Sequence, residues 1–219
     1  MIQPNLQDIE WALTLIKNLC ANGFKKGLYR HHTTSNIKTW SENHWRLLTE
    51  WGVGVYGGVT KVCIIDVRQN KWVIKVNLIS KKNSFDYCAQ ESKNYKKAVA
   101  QGFGKYFAGI IKIGVVENID VYLQERADIN TDLINNNFYE FVNSLYYDGN
   151  GCEDDIIENG NHLNDEERVY SLFRNDIKVD NLIAFINKRH INDLHAHNWG
   201  INRSGNIVMI DYSGYYSET

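Results

Sequence analysis

The hydrophobic residues of this chain change their spacing twice, and the resulting order of helical and strand-like segments is the strongest constraint on its fold. Residues 6–22 repeat apolar side chains at helical intervals, and a shorter helical stretch covers Glu42 to Glu50. From Trp51 the sequence becomes Gly-rich and β-branched, and after Ala127 helical spacing returns. We therefore predict an α+β protein. Its predicted regions are a helical extension at 1–50, a sheet-containing lobe at 51–125 and a mainly helical lobe at 126–219.

The strand-rich region predicts a hairpin, a helix and two further strands. The stretches VGVYGGVTKVCIIDV and KWVIKVNLI are typical of two strands, joined by a polar turn at residues 68–70. Ser84 is suited to cap a helix that runs to about Gln101, with Gly102 and Gly104 as stop signals. Two more strands, IIKIGVV and VYLQE, follow, so the predicted order is β, β, α, β, β.

The second half of the chain predicts helices on both sides of a polar segment, followed by a hairpin. Residues 148–167 are rich in Asp, Glu, Asn and Gly, and we expect a mobile surface insertion there. Residues 199–211 predict a tight hairpin that turns at residues 203–206.

Composition limits the partners and the compartment that we expect. The chain has 219 residues, with 24 Lys and Arg against 26 Asp and Glu, so we expect neither nucleic acid nor a membrane as a partner. Its four cysteines form no C-x-x-C pair, which favours a reducing compartment over a zinc or disulfide framework. Because no apolar run approaches the roughly 20 residues of a membrane helix, and no basic signal region precedes one, we expect a cytoplasmic protein.

The segment Gly52-Val-Gly54-Val-Tyr-Gly57-Gly58-Val59 satisfies the pattern G-x-G-x-x-G-x-V. Glycines in such a loop let backbone N–H groups approach phosphate oxygens that side chains would block. The alternative is that these glycines only relieve crowding in a twisted hairpin. Strand residues follow the loop, whereas a dinucleotide-binding motif opens a helix, so the context favours a loop over ATP phosphates.

Lys75 and Glu91 are predicted to form an ion pair. Lys75 lies in the middle of the apolar strand Val73-Ile-Lys-Val76, where an ammonium is costly without an anionic partner. Glu91 shares a helix face with Cys88 and Tyr95, so its carboxylate is expected to face inward. Such a pair would place the ammonium against nucleotide phosphates. The alternative for each residue is a lysine at a strand edge and a solvated glutamate.

The most specific signal is Asn192-Asp-Leu-His-Ala-His-Asn-Trp-Gly200, followed by Asp211-Tyr-Ser-Gly214. Asp193 precedes Asn198 by five residues, and Asp211 follows Asn198 by thirteen. Phosphoryl transfer needs a carboxylate near the acceptor hydroxyl and oxygen ligands for Mg²⁺, and these three side chains supply that set. His195-x-His197 has another reading as two metal-binding imidazoles, which is weaker because no histidine follows His197.

These motifs resemble the protein-kinase superfamily over about residues 51–214. Asp193 to Asn198 is similar to H-R-D-x-x-x-x-N, Asp211-Tyr-Ser-Gly to D-F-G, and Val73-Ile-Lys75 to V-A-I-K. The resemblance implies a bilobal fold with an antiparallel-sheet N-lobe and a truncated, mainly helical C-lobe. It implies Asp193 as catalytic base, the Lys75–Glu91 pair as phosphate anchor, and Asn198 and Asp211 as ligands of Mg²⁺, with Mn²⁺ as an alternative. One imidazole of His195-x-His197 is expected to support the catalytic loop or the acceptor, and we include His195 among the predicted catalytic residues. The implied ATP contacts are Gly52, Gly54, Gly57, Val59, Lys75, Gln124, Glu125 and Arg126.

The chain also departs from the kinase pattern. Ile191-Asn192 stands where H-R-D has His-Arg, and only eight residues follow Asp211, so we expect no activation segment and no regulation by its phosphorylation. This brevity resembles the minimal kinases of phages and bacterial effectors, which would act in the host cytoplasm. The implied function is a minimal protein Ser/Thr kinase with a protein substrate. The alternatives are a small-molecule kinase, or a kinase-like binding module that inhibits or tethers a partner protein.

Overall fold

The computed structural model describes residues 3–28, 35–57, 61–79, 85–146 and 163–214. In these residues the chain forms seven α-helices, a five-stranded antiparallel sheet and a three-stranded antiparallel sheet, which confirms the predicted α+β class. The chain divides into two compact units, residues 1–96 with 109–126 and residues 97–108 with 127–219. The N-terminal helices therefore belong to the same unit as the larger sheet. No helix in the described ranges is long and apolar enough to cross a membrane.

The first unit is built around the five-stranded sheet, in the order β1-β2-β3-β5-β4. Its strands are β1 (Val53–Gly57), β2 (Val62–Asp66), β3 (Trp72–Val76), β4 (Ile110–Val116) and β5 (Ile119–Glu125). The prediction of one strand from Val53 to Val67 was wrong. The chain reverses inside this stretch, so that Gly57 pairs with Val62 and β1 runs antiparallel to β2.

Helices cover one face of this sheet. They are α1 (Leu6–Ala21), α2 (Ser35–Asn43) and α3 (Trp45–Trp51), with α1 against β4 and β5 and the other two against β1. Ala12, Ile16 and Leu19 of α1 are fully buried in one core with Ile64 and Ile74 of the sheet. Trp40 is buried in the same core, and its Nε1 donates to the Asn22 carbonyl at 3.0 Å. The N-terminal helices thus complete the hydrophobic core of the first unit.

Two predicted helix boundaries differ from the structure. The single helix expected at Glu42 to Glu50 is split into α2 and α3 at His44, whose Nδ1 bonds to the Trp40 carbonyl at 2.8 Å. The helix expected after Ser84 is α4 (Tyr87–Ala100), and Asp86 caps it by accepting from the Ala89 N–H at 3.0 Å. Ser84 itself lies outside the described residues.

The face of the sheet opposite the N-terminal helices carries Lys75. Because side chains alternate along a strand, Ile74 and Val76 point into the core and Lys75 points away from it. Cys63 on β2 and Tyr122 on β5 pair with Lys75 in register and therefore share its face. This face, defined by Cys63, Lys75 and Tyr122, is called the lysine face below.

The second unit contains three helices and the smaller sheet. The helices are α5 (Thr131–Tyr146), α6 (Asp165–Phe173) and α7 (Val179–Lys188), and the strands are β6 (Ala127–Asp128), β7 (Trp199–Asn202) and β8 (Ile207–Met209). Strands β7 and β8 form the predicted terminal hairpin. Aromatic rings join these elements: Phe107 lies 5.0 Å from Tyr212 and 5.9 Å from Phe185 between ring centroids. The contact between Phe107 and Tyr212 anchors the residue that directly follows Asp211.

The end of the predicted insertion is ordered. Residues 148–162 lie outside the described part of the chain, but Leu163 is buried and Asn164 begins α6. Asn164 and Glu167 form a reciprocal capping box, with bonds of 2.9 and 3.0 Å to each other's backbone N–H groups. The prediction of a surface insertion through Glu167 was wrong here, since N-x-x-E is a helix start inside a polar segment.

Candidate functional site

In the first unit, the predicted Lys75–Glu91 ion pair is present. The Lys75 Nζ lies 3.0 Å from Glu91 Oε2 and 3.2 Å from Oε1. Glu91 is fully buried because Tyr87, Cys88, Glu91, Asn94 and Ala98 repeat along one face of α4. The Lys75 side chain is also buried, at 5% exposure. A rigid strand and a rigid helix therefore hold these two charges together.

A second lysine joins this pair. The Lys61 Nζ donates to Glu91 Oε1 at 2.9 Å, and Lys61 is only 4% exposed. Sequence analysis did not single out Lys61, because it lies just before β2 rather than in the strand that carries V-I-K. The sequence does place Lys61 at the start of an apolar strand. This feature is common in proteins, so by itself it does not indicate a functional lysine. Lys61, Lys75 and Glu91 are called the two-lysine cluster below.

The surroundings of the two-lysine cluster keep neighbouring groups neutral. Burial, followed by the Glu91 charge, raises the pKa of the Cys88 thiol well above its ordinary value. Burial, followed by the charge of Asp86, likewise raises the pKa of Tyr122 above its ordinary range. Tyr122 donates to Asp86 Oδ2 at 3.5 Å. The Cys88 thiol and the Tyr122 phenol are therefore protonated at neutral pH and add no charge to this cluster.

Local backbone structure explains two glycines of the Gly-rich segment. Gly52 ends α3 in the left-handed conformation, with φ +65°, where other residues are strained. Gly54 lies under the Tyr56 ring, and a Cβ at this position would come within 2.5 Å of that ring. Gly57 is the last residue of β1, and Val59 lies outside the described residues. Among the described residues of the segment, Gly57 thus lies nearest the β1–β2 turn, where the sequence predicts a bound phosphate.

The predicted adenine contacts Gln124, Glu125 and Arg126 lie at the end of β5. The Glu125 N–H donates to the Gly109 carbonyl at 2.7 Å, and the Arg126 N–H donates to the Lys71 carbonyl at 2.8 Å. These two backbone donors are engaged within the first unit. The structure therefore gives no support to adenine recognition through these two N–H groups.

In the second unit, Asp193 lies in a strained loop that other residues hold. Its φ is +64°, a left-handed value that Asp tolerates better than most residues. Asp165, the first residue of α6, accepts from the Asp193 N–H at 2.9 Å through Oδ2 and from the Leu194 N–H at 2.8 Å through Oδ1. Arg168 donates to the same carboxylate at 3.2 Å. Asp165 thus fixes the backbone at the predicted catalytic residue, and sequence analysis missed this role.

Replacing Asp165 with Ala is expected to release the backbone N–H groups of Asp193 and Leu194. Hydrogen bonds to a charged group contribute about 1.5–3 kcal/mol, so these two amides should exchange with solvent at least about tenfold faster. Hydrogen exchange followed by NMR measures this effect residue by residue. Asp165→Asn should be intermediate, because an amide keeps only one acceptor oxygen. Asp132→Ala, which removes an exposed acid from the first turn of α5, is the matched control, and equal protection in both alanine variants would contradict the assigned role.

Hydrogen bonds place Asn198 beside the Asp193 loop and beside Ile210, the residue that precedes Asp211. Asn198 Nδ2 donates to the Asp193 carbonyl at 2.5 Å, and the Ile210 N–H donates to the Asn198 carbonyl at 2.9 Å. With its amide nitrogen turned to Asp193, Asn198 has a carbonyl oxygen as its remaining side-chain donor to a metal. That oxygen and the oxygens of the Asp211 carboxylate are hard donors of the type that Mg²⁺ prefers. The predicted metal ligands therefore fit that ion chemically.

The glycine of Asp211-Tyr-Ser-Gly214 is required by close packing. Gly214 has φ +76°, and a Cβ there would lie 2.1 Å from the His190 carbonyl oxygen. Tyr212 is fully buried and donates from its hydroxyl to the Ala108 carbonyl at 2.6 Å. The close packing of Gly214 and the hydrogen bond of Tyr212 together fix the backbone path of the segment that begins at Asp211.

His195 lies beside Asp193. Its Nε2 is 3.7 Å from Asp193 Oδ2, and its Nδ1 accepts from the His197 N–H at 3.2 Å. The proton of a neutral His195 is therefore on Nε2, facing the carboxylate. His197 is exposed. Within the described residues, no group of three or more His, Cys, Asp and Glu side chains has the arrangement of a metal site.

No model of a known protein family matches this chain, and a search of curated proteins found no match. The functional interpretation accordingly depends on the side-chain geometry of the two units.

Proposed function

We propose that this chain is an ATP- and Mg²⁺-dependent phosphotransferase of the protein-kinase-like type, acting on a protein Ser or Thr hydroxyl. The observation that carries the proposal is the pair of hydrogen bonds that join Asn198 to Asp193 and to Ile210, the residue before Asp211. They support the proposal that the Asp193 carboxylate and the oxygen donors of Asn198 and Asp211 act together. That combination is what phosphoryl transfer to a hydroxyl requires.

In the second unit, each of these residues would have a separate role in phosphoryl transfer. ATP bound with Mg²⁺ supplies the γ-phosphoryl group, which bonds to the acceptor oxygen as its bond to the ADP oxygen breaks. The Asp193 carboxylate accepts the proton of the acceptor hydroxyl. His195, whose Nε2 lies 3.7 Å from that carboxylate, would support it electrostatically, and Asn198 and Asp211 would hold the metal. Asp165 keeps the Asp193 backbone in place during the reaction.

In the first unit, the buried Lys75–Glu91 pair is the proposed phosphate anchor. A buried ammonium fixed by a carboxylate is held in one position, so it can oppose phosphate charge without reorganising. We retain residues 124–126 as the proposed adenine contact, through groups other than the Glu125 and Arg126 N–H donors.

The proposal is tested by incubating the purified chain with γ-labelled ATP and Mg²⁺, alone and with a whole-cell lysate. Label on a protein, present with the wild type and absent with Asp193→Asn, is the expected result. ATP turnover without labelled protein would point to a small-molecule acceptor. ATP binding without turnover would point to a kinase-like binding module. A wild-type chain that neither binds nor consumes ATP would overturn the proposal.

A further inference from the structure

The two-lysine cluster contains more cationic charge than an anchor of one lysine and one glutamate. Both Lys61 and Lys75 reach the Glu91 carboxylate, at 2.9 and 3.0 Å, and all three side chains are buried. Together the three side chains carry two positive charges and one negative charge. One lysine would be enough to satisfy Glu91, and bringing a second ammonium close to the first costs electrostatic energy.

Lys61 lies on the same face of the sheet as Lys75. Val62 pairs with Val76 and Cys63 with Lys75, so Lys61 precedes the strand that runs beside Lys75. Val62 is buried in the core on the helix-covered face, so alternation directs Lys61 to the lysine face. Lys61 also follows closely after Gly57, the residue of the Gly-rich segment at the β1–β2 turn.

We propose that Lys61 is a second phosphate-binding residue, so that the phosphates of a nucleoside triphosphate are held by a pair of lysines that Glu91 aligns. This inference rests on the proposed function and adds a ligand to its nucleotide site. Each ammonium opposes the charge of the polyphosphate, while the shared carboxylate keeps the two side chains in fixed positions. The contribution of Lys61 should therefore grow with the number of phosphates on the nucleotide and vanish for the nucleoside.

The test compares the affinities of ATP, ADP and adenosine by calorimetry, for the wild type and for Lys61→Met. A charge-assisted hydrogen bond contributes about 1.5–3 kcal/mol, so ATP should bind about 10–100-fold more weakly to the variant. Adenosine affinity should be unchanged. Lys93→Met removes an exposed lysine of α4 two residues beyond Glu91 and is the matched control, with no expected loss. Lys61→Gln, which keeps a hydrogen-bond donor without the charge, provides a second variant if Lys61→Met does not fold.

The outcomes separate the inference from the proposed function. ATP affinity that is unchanged in both Lys61 variants, or a loss that is equal for ATP and adenosine, would overturn the role of Lys61 and leave the proposed function standing. A wild type that does not bind ATP would overturn the proposed function itself. A loss for ATP that exceeds the loss for ADP, with adenosine unaffected, supports a phosphate contact.

Discussion

Asp193→Asn is expected to reduce phosphoryl transfer by about 10²–10⁴-fold, the usual contribution of a general base, with nucleotide affinity close to that of the wild type. An amide cannot accept the proton of the acceptor hydroxyl. The substitution should leave the loop intact, since Asn also tolerates the left-handed conformation at φ +64°. Asp165 and Asn198 hold residue 193 through its backbone N–H and carbonyl, which the substitution does not change.

The measurement is single-turnover transfer of labelled phosphate, together with the nucleotide dissociation constant and the thermal midpoint. Asn is a better test than Ala, because Ala at a left-handed position adds strain of about 1–2 kcal/mol to any catalytic effect. Asp180→Asn, an exposed carboxylate in the first turn of α7, is the matched control. Transfer by Asp193→Asn at the rate of this control would remove Asp193 from the catalytic role.

Glu91→Ala is expected to destabilise the first unit by about 3–5 kcal/mol, because removal of one partner from a buried ion pair leaves the other charge uncompensated. Here the removal affects two ammonium groups, Lys61 and Lys75, both of which lie within 3.0 Å of the carboxylate. Because Glu91 is fully buried, its truncation to Ala also leaves a cavity in the core. This is the largest effect on stability that we expect from one polar residue of the chain.

Denaturant unfolding followed by tryptophan fluorescence measures this loss, since Trp11, Trp40, Trp45, Trp51 and Trp72 all lie in the first unit and only Trp199 lies in the second. Glu50→Ala, an exposed glutamate of α3, should change stability by less than about 0.5 kcal/mol. The double variant Glu91→Ala with Lys61→Met should recover part of the loss, because it removes one of the two buried ammonium groups. A loss no larger than that of Glu50→Ala would contradict the buried ion cluster.

Much of the local structure followed from patterns within short stretches of sequence. Helical spacing predicted α1, α5 and α7, and β-branched runs predicted β3, β4 and β5, because both patterns depend on which residues lie a few positions apart. The Lys75–Glu91 pair was also predictable, since a lysine inside an apolar strand needs an anion and Glu91 lies on the apolar face of the next helix. Two errors lay at the reversal between β1 and β2 and at the Asn164 capping box.

The sequence by itself determined the α+β class, the strand that carries Lys75 and the short spacing from Asp193 to Asn198, because these depend on neighbouring positions. Only the tertiary structure decided which face of the sheet the N-terminal helices cover, and which additional residues reach the two sites. Lys61 and Glu91 are separated by 30 positions, and Asp165 and Asp193 by 28. A buried charge needs some partner, but which of the chain's many charged residues fulfils that need depends on the path of the folded backbone.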